Sequence, residues 1–205
     1  MGGMGETADL YKAIEAAGPR AAPELCSRQF PGLDASIRTT LYVEDRGRRD
    51  FFIKRYGWAV PSREAIAQVA AFIGKTPTLE VGAGKGLWAC LLTWEGVKIV
   101  ATDRGMVTHP FYPVWRKYAR AAVKASPLAR CLVMVWPPYD TPMAAQALAA
   151  FRGDALVYVG EEDGGCTGDD RFHELLGTEW TCPQEVAIPQ WWGLHDRVCL
   201  YERAR

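Results

Sequence analysis

Leu79-Glu80-Val81-Gly82-Ala83-Gly84-Lys85-Gly86 is the stretch on which the fold of this 205-residue chain turns. A short run of β-forming residues, Thr78-Leu-Glu-Val81, passes directly into alternating glycines, and Leu87 to Trp94 then runs on at helical length until Gly96 closes it. Glycine serves two needs at such a junction: the chain must turn sharply through positive φ, and its backbone must come close to a ligand with no Cβ in the way. The helix N-terminus behind the turn favours negative groups.

Working outward, Val97-Lys-Ile-Val-Ala101 reads as a second strand, so strand, helix and strand make one βαβ unit. Upstream, Ser62 is placed to N-cap a helix with Glu64 in its first turn, an apolar face of Ile66, Val69, Ala70 and Ile73, and Gly74 as its stop. Downstream, Val114 to Lys124 reads as helical and shows no third strand. Cys131 to Val135 is a buried strand, and Thr141-Pro142 offers an N-cap and a first-turn proline for a helix ending at Gly153. Ala155 to Val159 is another strand, residues 161–167 a flexible loop, and Asp169 to Leu176 a helix. Two final strands are expected near residues 185–188 and 197–201.

The N-terminal part is harder to read. Leu10, Tyr11, Ile14 and Ala17 fall at helical spacing before Gly18-Pro19. Thr39-Thr-Leu-Tyr-Val43 and Phe51-Phe-Ile53 flank a polar stretch, as a hairpin or as two irregular arms. Residues 1–57 are read as an N-terminal cap or arm, and 58–205 as the ligand-binding domain.

Three ligand classes use a glycine turn of this kind. A phosphate loop requires G-x-x-x-x-G-K-[ST], but Lys85 is followed by Gly86, and Gly74-Lys75-Thr76 has Val69 where the first glycine belongs. A dinucleotide turn requires G-x-G-x-x-G, and here the third glycine arrives one residue early.

The pattern E-x-G-x-G-x-G, with Glu80 inside the strand, resembles motif I of the class I S-adenosylmethionine-dependent methyltransferases. Asp103, after Val-Ala-Thr, matches that family's acidic residue for the ribose hydroxyls, and a carboxylate can accept from both. Trp136-Pro-Pro-Tyr139 falls where the family's motif IV lies. The resemblance runs from about residue 61 onward. It implies an α/β, Rossmann-like class I methyltransferase sheet, mostly parallel with an antiparallel last strand, here carrying an N-terminal cap. It also implies S-adenosylmethionine as cofactor, held by Glu80, Gly82, Ala83, Gly84, Gly86, Asp103, Arg104 and Trp136, with Trp58 covering it from the hinge.

In an open α/β sheet ligands sit beyond the carboxyl ends of the strands, so residues 82–86, 103–109, 136–140 and 160–167 are expected on one rim. Trp136-Pro-Pro-Tyr139 also resembles the Asn/Asp-Pro-Pro-Tyr loop of amino-methylating enzymes, but an indole only donates, so the acceptor for a target amine is missing. The expected substrate is therefore a small molecule with an O or N nucleophile, held near Tyr139 and Asp140, with Glu161 or His109 taking its proton. His173, one turn into a helix, reads as structural, and His195 belongs to a late loop. Two other readings keep the cofactor: a cyclase or lyase releasing methylthioadenosine, and a non-catalytic S-adenosylmethionine-binding partner protein.

Composition limits the rest. The chain is 49% hydrophobic and 23% charged, which suits one globular domain with or without a small cap. At this length roughly 70% of the unfolded surface can be buried, so no staple is needed. The six cysteines show no C-x-x-C pair and no His at ligand spacing, so they read as reduced thiols in a cytoplasmic protein, and no metal is expected. With 24 basic and 24 acidic side chains, no general polyanion binder is expected and nucleic acid is not the anticipated partner, although a local basic patch is left open. No apolar run approaches a membrane span, and the start resembles neither a signal peptide nor a myristoylation site.

Overall fold

The computed structural model describes residues 40–41, 50, 53–54, 56–191 and 193–204. Among these residues the elements with described bounds follow in chain order: β1 (Thr40–Leu41), α1 (Arg63–Ile73), β2 (Thr78–Val81), α2 (Leu87–Trp94), β3 (Ile99–Asp103), β4 (Val114–Arg116), α3 (Ala119–Ala125), β5 (Cys131–Val135), α4 (Met143–Ala150), β6 (Ala155–Gly160), α5 (Asp170–Glu179), β7 (Trp180–Ala187), β8 (Gln190–Trp191) and β9 (Arg197–Arg203). Seven strands form one sheet in the order β4-β3-β2-β5-β6-β9-β7, and β1 pairs with β8 apart from it. The β2–β3, β2–β5, β3–β4 and β5–β6 pairs are parallel, whereas β9 runs antiparallel to both neighbours. The architecture is the mostly parallel α/β sheet that the glycine motif implies.

Both faces of the sheet are covered, as parallel strands require. Alternation along β5 divides the core: Cys131 and Val133 pack with α1 and α2, while Leu132 and Met134 pack with α3, α4 and α5. Ser62 caps α1 by accepting from the Ala65 N–H, and Gly74 ends it at φ 59°. Among the described residues no helix is long and apolar enough to cross a membrane.

Several expectations are corrected. The third strand exists as β4, and its first residue, Val114, is extended rather than helical, so helix α3 begins only at Ala119. Pro142, not Thr141, occupies the N-cap of α4, and the buried Thr141 hydroxyl has no partner. Helix α5 is capped by Asp169 and runs on to Glu179. Strand β7 starts at Trp180, earlier than expected. Ile53 and Lys54 are helical, and Thr40–Leu41 pairs with β8, so among the described residues the two stretches do not pair with each other as a hairpin. The helix expected around residues 10–17 lies outside the described residues. Ile53 and Tyr56 pack with Val60 and Trp191, linking the segment before residue 58 to the late loop.

Candidate functional site

The glycine turn is built as its sequence demands. Gly82, Gly84 and Gly86 all have positive φ. They do different work. A Cβ on Gly86 would lie 3.0 Å from both Tyr112 Cβ and Val114 Cγ2, so this glycine lets the edge strand pack against the turn. A Cβ on Gly84 would meet nothing within 4 Å, so Gly84 keeps space open. Asp103 locks the turn in place: its Oδ2 accepts from the Gly84 N–H at 3.0 Å, and its Oδ1 from the Gly105 N–H at 2.8 Å.

Two cavities meet here and share Gly82 and Trp136. One, of about 230 Å³, is lined by Lys54, Trp58, Glu80, Ala83, Gly84 and Trp136 among others. The other, of about 300 Å³, has Asp103, Arg104, Lys117, Tyr118, Arg120 and Met143 on its walls. Glu80 is the charged group buried in the first. Its Oε2 has no hydrogen-bond partner. Burial pushes its carboxyl up to about 8; a hydrogen bond from the Ala89 backbone opposes this and the Asp103 charge adds to it. An unpaired buried carboxyl beside a cavity suits a cationic ligand group.

Trp58 and Trp136 stack with ring centroids 4.9 Å apart and 13° between planes. Trp136 is held at φ 50°, a left-handed conformation costly for a bulky residue, and its Nε1 donates to Asp196 Oδ2 at 2.9 Å. Asp196 is buried, and burial raises its carboxyl to about 6 against the opposing pull of the Trp136 hydrogen bond. Sequence reading missed Asp196. The only signal was an acidic residue standing immediately before β9, one position ahead of Arg197 and the apolar run that starts at Val198.

The structure thus brings together Trp58, Glu80, Gly82, Ala83, Gly84, Asp103, Arg104 and Trp136. Gly86 lines neither cavity and serves packing instead. Tyr139 is 60% exposed, and Asp140 is exposed; neither lines either of these two cavities, although neighbouring Pro138 lines the larger. His109 lies exposed in a loop at φ 51°. Glu161 is buried and already engaged: Oε2 accepts from the Cys166 N–H at 2.8 Å and Oε1 from the His195 N–H at 2.7 Å. Those bonds clasp the 161–167 loop to the late loop, so the expected flexible segment is tied down and Glu161 is a clasp rather than a free base. His173, half-buried, has its Nε2 2.7 Å from the Thr167 carbonyl oxygen, a contact in keeping with a structural role.

No family model and no curated protein matches the sequence. Solved structures do match. TehB from Haemophilus influenzae aligns over 76% of this chain and 67% of its own, with 12% identity and a TM-score of 0.50. A 1,6-didemethyltoxoflavin-N1-methyltransferase from Burkholderia thailandensis, solved with S-adenosylhomocysteine, aligns over 82% and 94% with 18% identity and a TM-score of 0.49. At such identities the likeness concerns the fold. With its mostly parallel seven-stranded sheet, its antiparallel β9 and its likeness to TehB, the chain has the Rossmann-like class I methyltransferase fold.

Proposed function

We propose that the protein is an S-adenosylmethionine-dependent methyltransferase acting on a small O or N nucleophile. The observation that carries this reading is Glu80 Oε2, buried without a partner in a cavity walled by the glycine turn and the Trp58–Trp136 pair. The residues fit the cofactor's parts. Glu80 suits its ammonium, the indole faces suit its sulfonium, and the lone pairs that Asp103 retains beyond its two amide bonds suit the ribose hydroxyls. Tyr118 and Met143 offer apolar walls for the adenine. When bound, the cofactor supplies an electrophilic methyl group.

The chain's own residues then orient the acceptor and exclude water. Two small cavities, rather than one broad groove, favour a small acceptor. Tyr139, exposed and next in sequence to the cavity-lining Pro138, orients it. Asp140 or His109 takes its proton, because the oxygens of Glu161 are committed to backbone amides. The free thiols at all five described cysteines suit a reducing cytoplasm.

Mass spectrometry of the protein incubated with S-adenosylmethionine and a pooled metabolite extract tests the reading. A methylated metabolite together with S-adenosylhomocysteine is expected. Methylthioadenosine instead would establish cyclase or lyase chemistry, and binding without turnover would leave a partner protein.

A further inference from the structure

We propose that Cys182, Glu185 and Cys199 form a binding site for a soft divalent cation of the zinc class, away from the glycine turn. The placement follows from strand geometry. Glu185 stands directly opposite Cys199 in the β7–β9 ladder, and residues at even spacing along a strand share a face. Cys182, three residues before Glu185, would face the other way in a regular strand. The register slips by one residue between Thr181 and Gln184, however, and this bulge turns Cys182 onto the face of Glu185 and Cys199. One ligand atom from each of the three then lies within 4.8 Å of the others. A tetrahedral site with metal–sulfur bonds of about 2.3 Å needs sulfurs about 3.8 Å apart, so a small side-chain adjustment completes it.

The surroundings favour a cation. Glu185 and Cys199 form part of the wall of a cavity of about 880 Å³ that also presents Glu161, Glu162, Asp163, Asp170 and Glu174. Two arginines temper this field. Arg197 bonds to Glu162 and, at 3.1 Å, to Glu185 Oε2, leaving the other Glu185 oxygen to coordinate, while Arg171 pairs with Glu174. Acidic walls alone would admit any cation; the two sulfurs select soft ions over magnesium or calcium. Both cysteines are free, and thiols are mostly protonated at neutral pH. Binding therefore forms two metal–sulfur bonds and releases two protons to solvent. The chain spacing hid this set, because its members come from two strands and a bulge rather than from a C-x-x-C turn.

The test uses the full-length protein, fully reduced and titrated with Co²⁺ as a spectroscopic probe. One equivalent should produce a thiolate-to-metal charge-transfer band that Zn²⁺ displaces and excess Mg²⁺ does not. Cys182→Ser should abolish the band while circular dichroism shows an intact fold, Glu185→Gln should weaken affinity by about tenfold or more, and Cys166→Ser should leave both unchanged. Absence of the band in the reduced wild type, an undiminished band in folded Cys182→Ser, or equal competition by Mg²⁺ would each overturn the site.

Discussion

The indole N–H of Trp136 is bound to the buried carboxylate of Asp196, 60 residues later in the chain, at 2.9 Å. This bond helps hold Trp136 in its left-handed backbone conformation between the two cavities. Trp136→Phe removes the donor and leaves Asp196 with neither oxygen partnered, since Oδ1 already lacks a partner. A loss of about 1–3 kcal/mol in denaturant-measured stability is expected.

Asp196 also sets a pH dependence. Its carboxyl titrates near 6 in the folded protein against 3.8 when unperturbed. Between those values the folded state holds a proton that the unfolded chain has released, so its contribution to stability falls as pH rises and levels off above about 6. Asp196→Asn should remove that slope. The measurement is the difference in unfolding free energy between wild type and variant from pH 4 to 7, and a pH-independent difference would refute the assignment.

Glu80 should trade stability against binding. With its carboxyl raised from 4.5 to about 8, the same linkage makes the ligand-free protein lose stability as pH rises through that window. Glu80→Gln is expected to raise the ligand-free melting temperature at pH 8 and to weaken S-adenosylmethionine binding at least about tenfold. Because a cationic ligand favours the ionised carboxylate, wild-type binding at pH 7 should release protons. Calorimetry in two buffers of different ionisation enthalpy detects this release, and its absence would remove Glu80 from the ammonium site.

Gly84 and Gly86 separate ligand space from packing space. Both have positive φ, so alanine at either carries about 1–2 kcal/mol of backbone strain. Gly86→Ala adds a collision with Tyr112 and Val114 and should cost a further 1–3 kcal/mol, roughly. Gly84→Ala meets no neighbour, so its additional effect should fall on cofactor affinity. Thermal unfolding with and without S-adenosylmethionine distinguishes the two.

Tyr139, exposed next to the cavity-lining Pro138, is the residue proposed to orient the acceptor. Once a substrate is identified, Tyr139→Phe should keep stability and cofactor binding yet lower turnover by about tenfold. Unchanged turnover in both Tyr139→Phe and Tyr139→Ala would take this residue out of the site.

What sequence reveals here is whatever the backbone itself requires. The glycines, Glu80 and Asp103 were legible because a strand-to-helix turn around a ligand leaves few choices at those positions. Strand β4 was not: it is three residues long at the sheet edge, with Trp115 65% exposed, so burial imposes no alternation on it. Glu161 looked like a rim base because its two amide partners, 5 and 34 residues further along, are set by tertiary structure alone. Asp196 gave almost no signal for the same reason, its meaning residing in a distant indole.

The position of β9 bears on how this chain is made. It is synthesised after β7 yet lies between β6 and β7 in the sheet. A growing chain therefore presents β7 with no docked neighbour on the main sheet, and β6 with one edge bare, until residues 197–203 have left the ribosome. Exposed strand edges of this kind invite pairing with other chains. This half of the sheet can close only by late insertion of a central strand, which makes the nascent polypeptide, more than the finished protein, the form most in need of protection by chaperones.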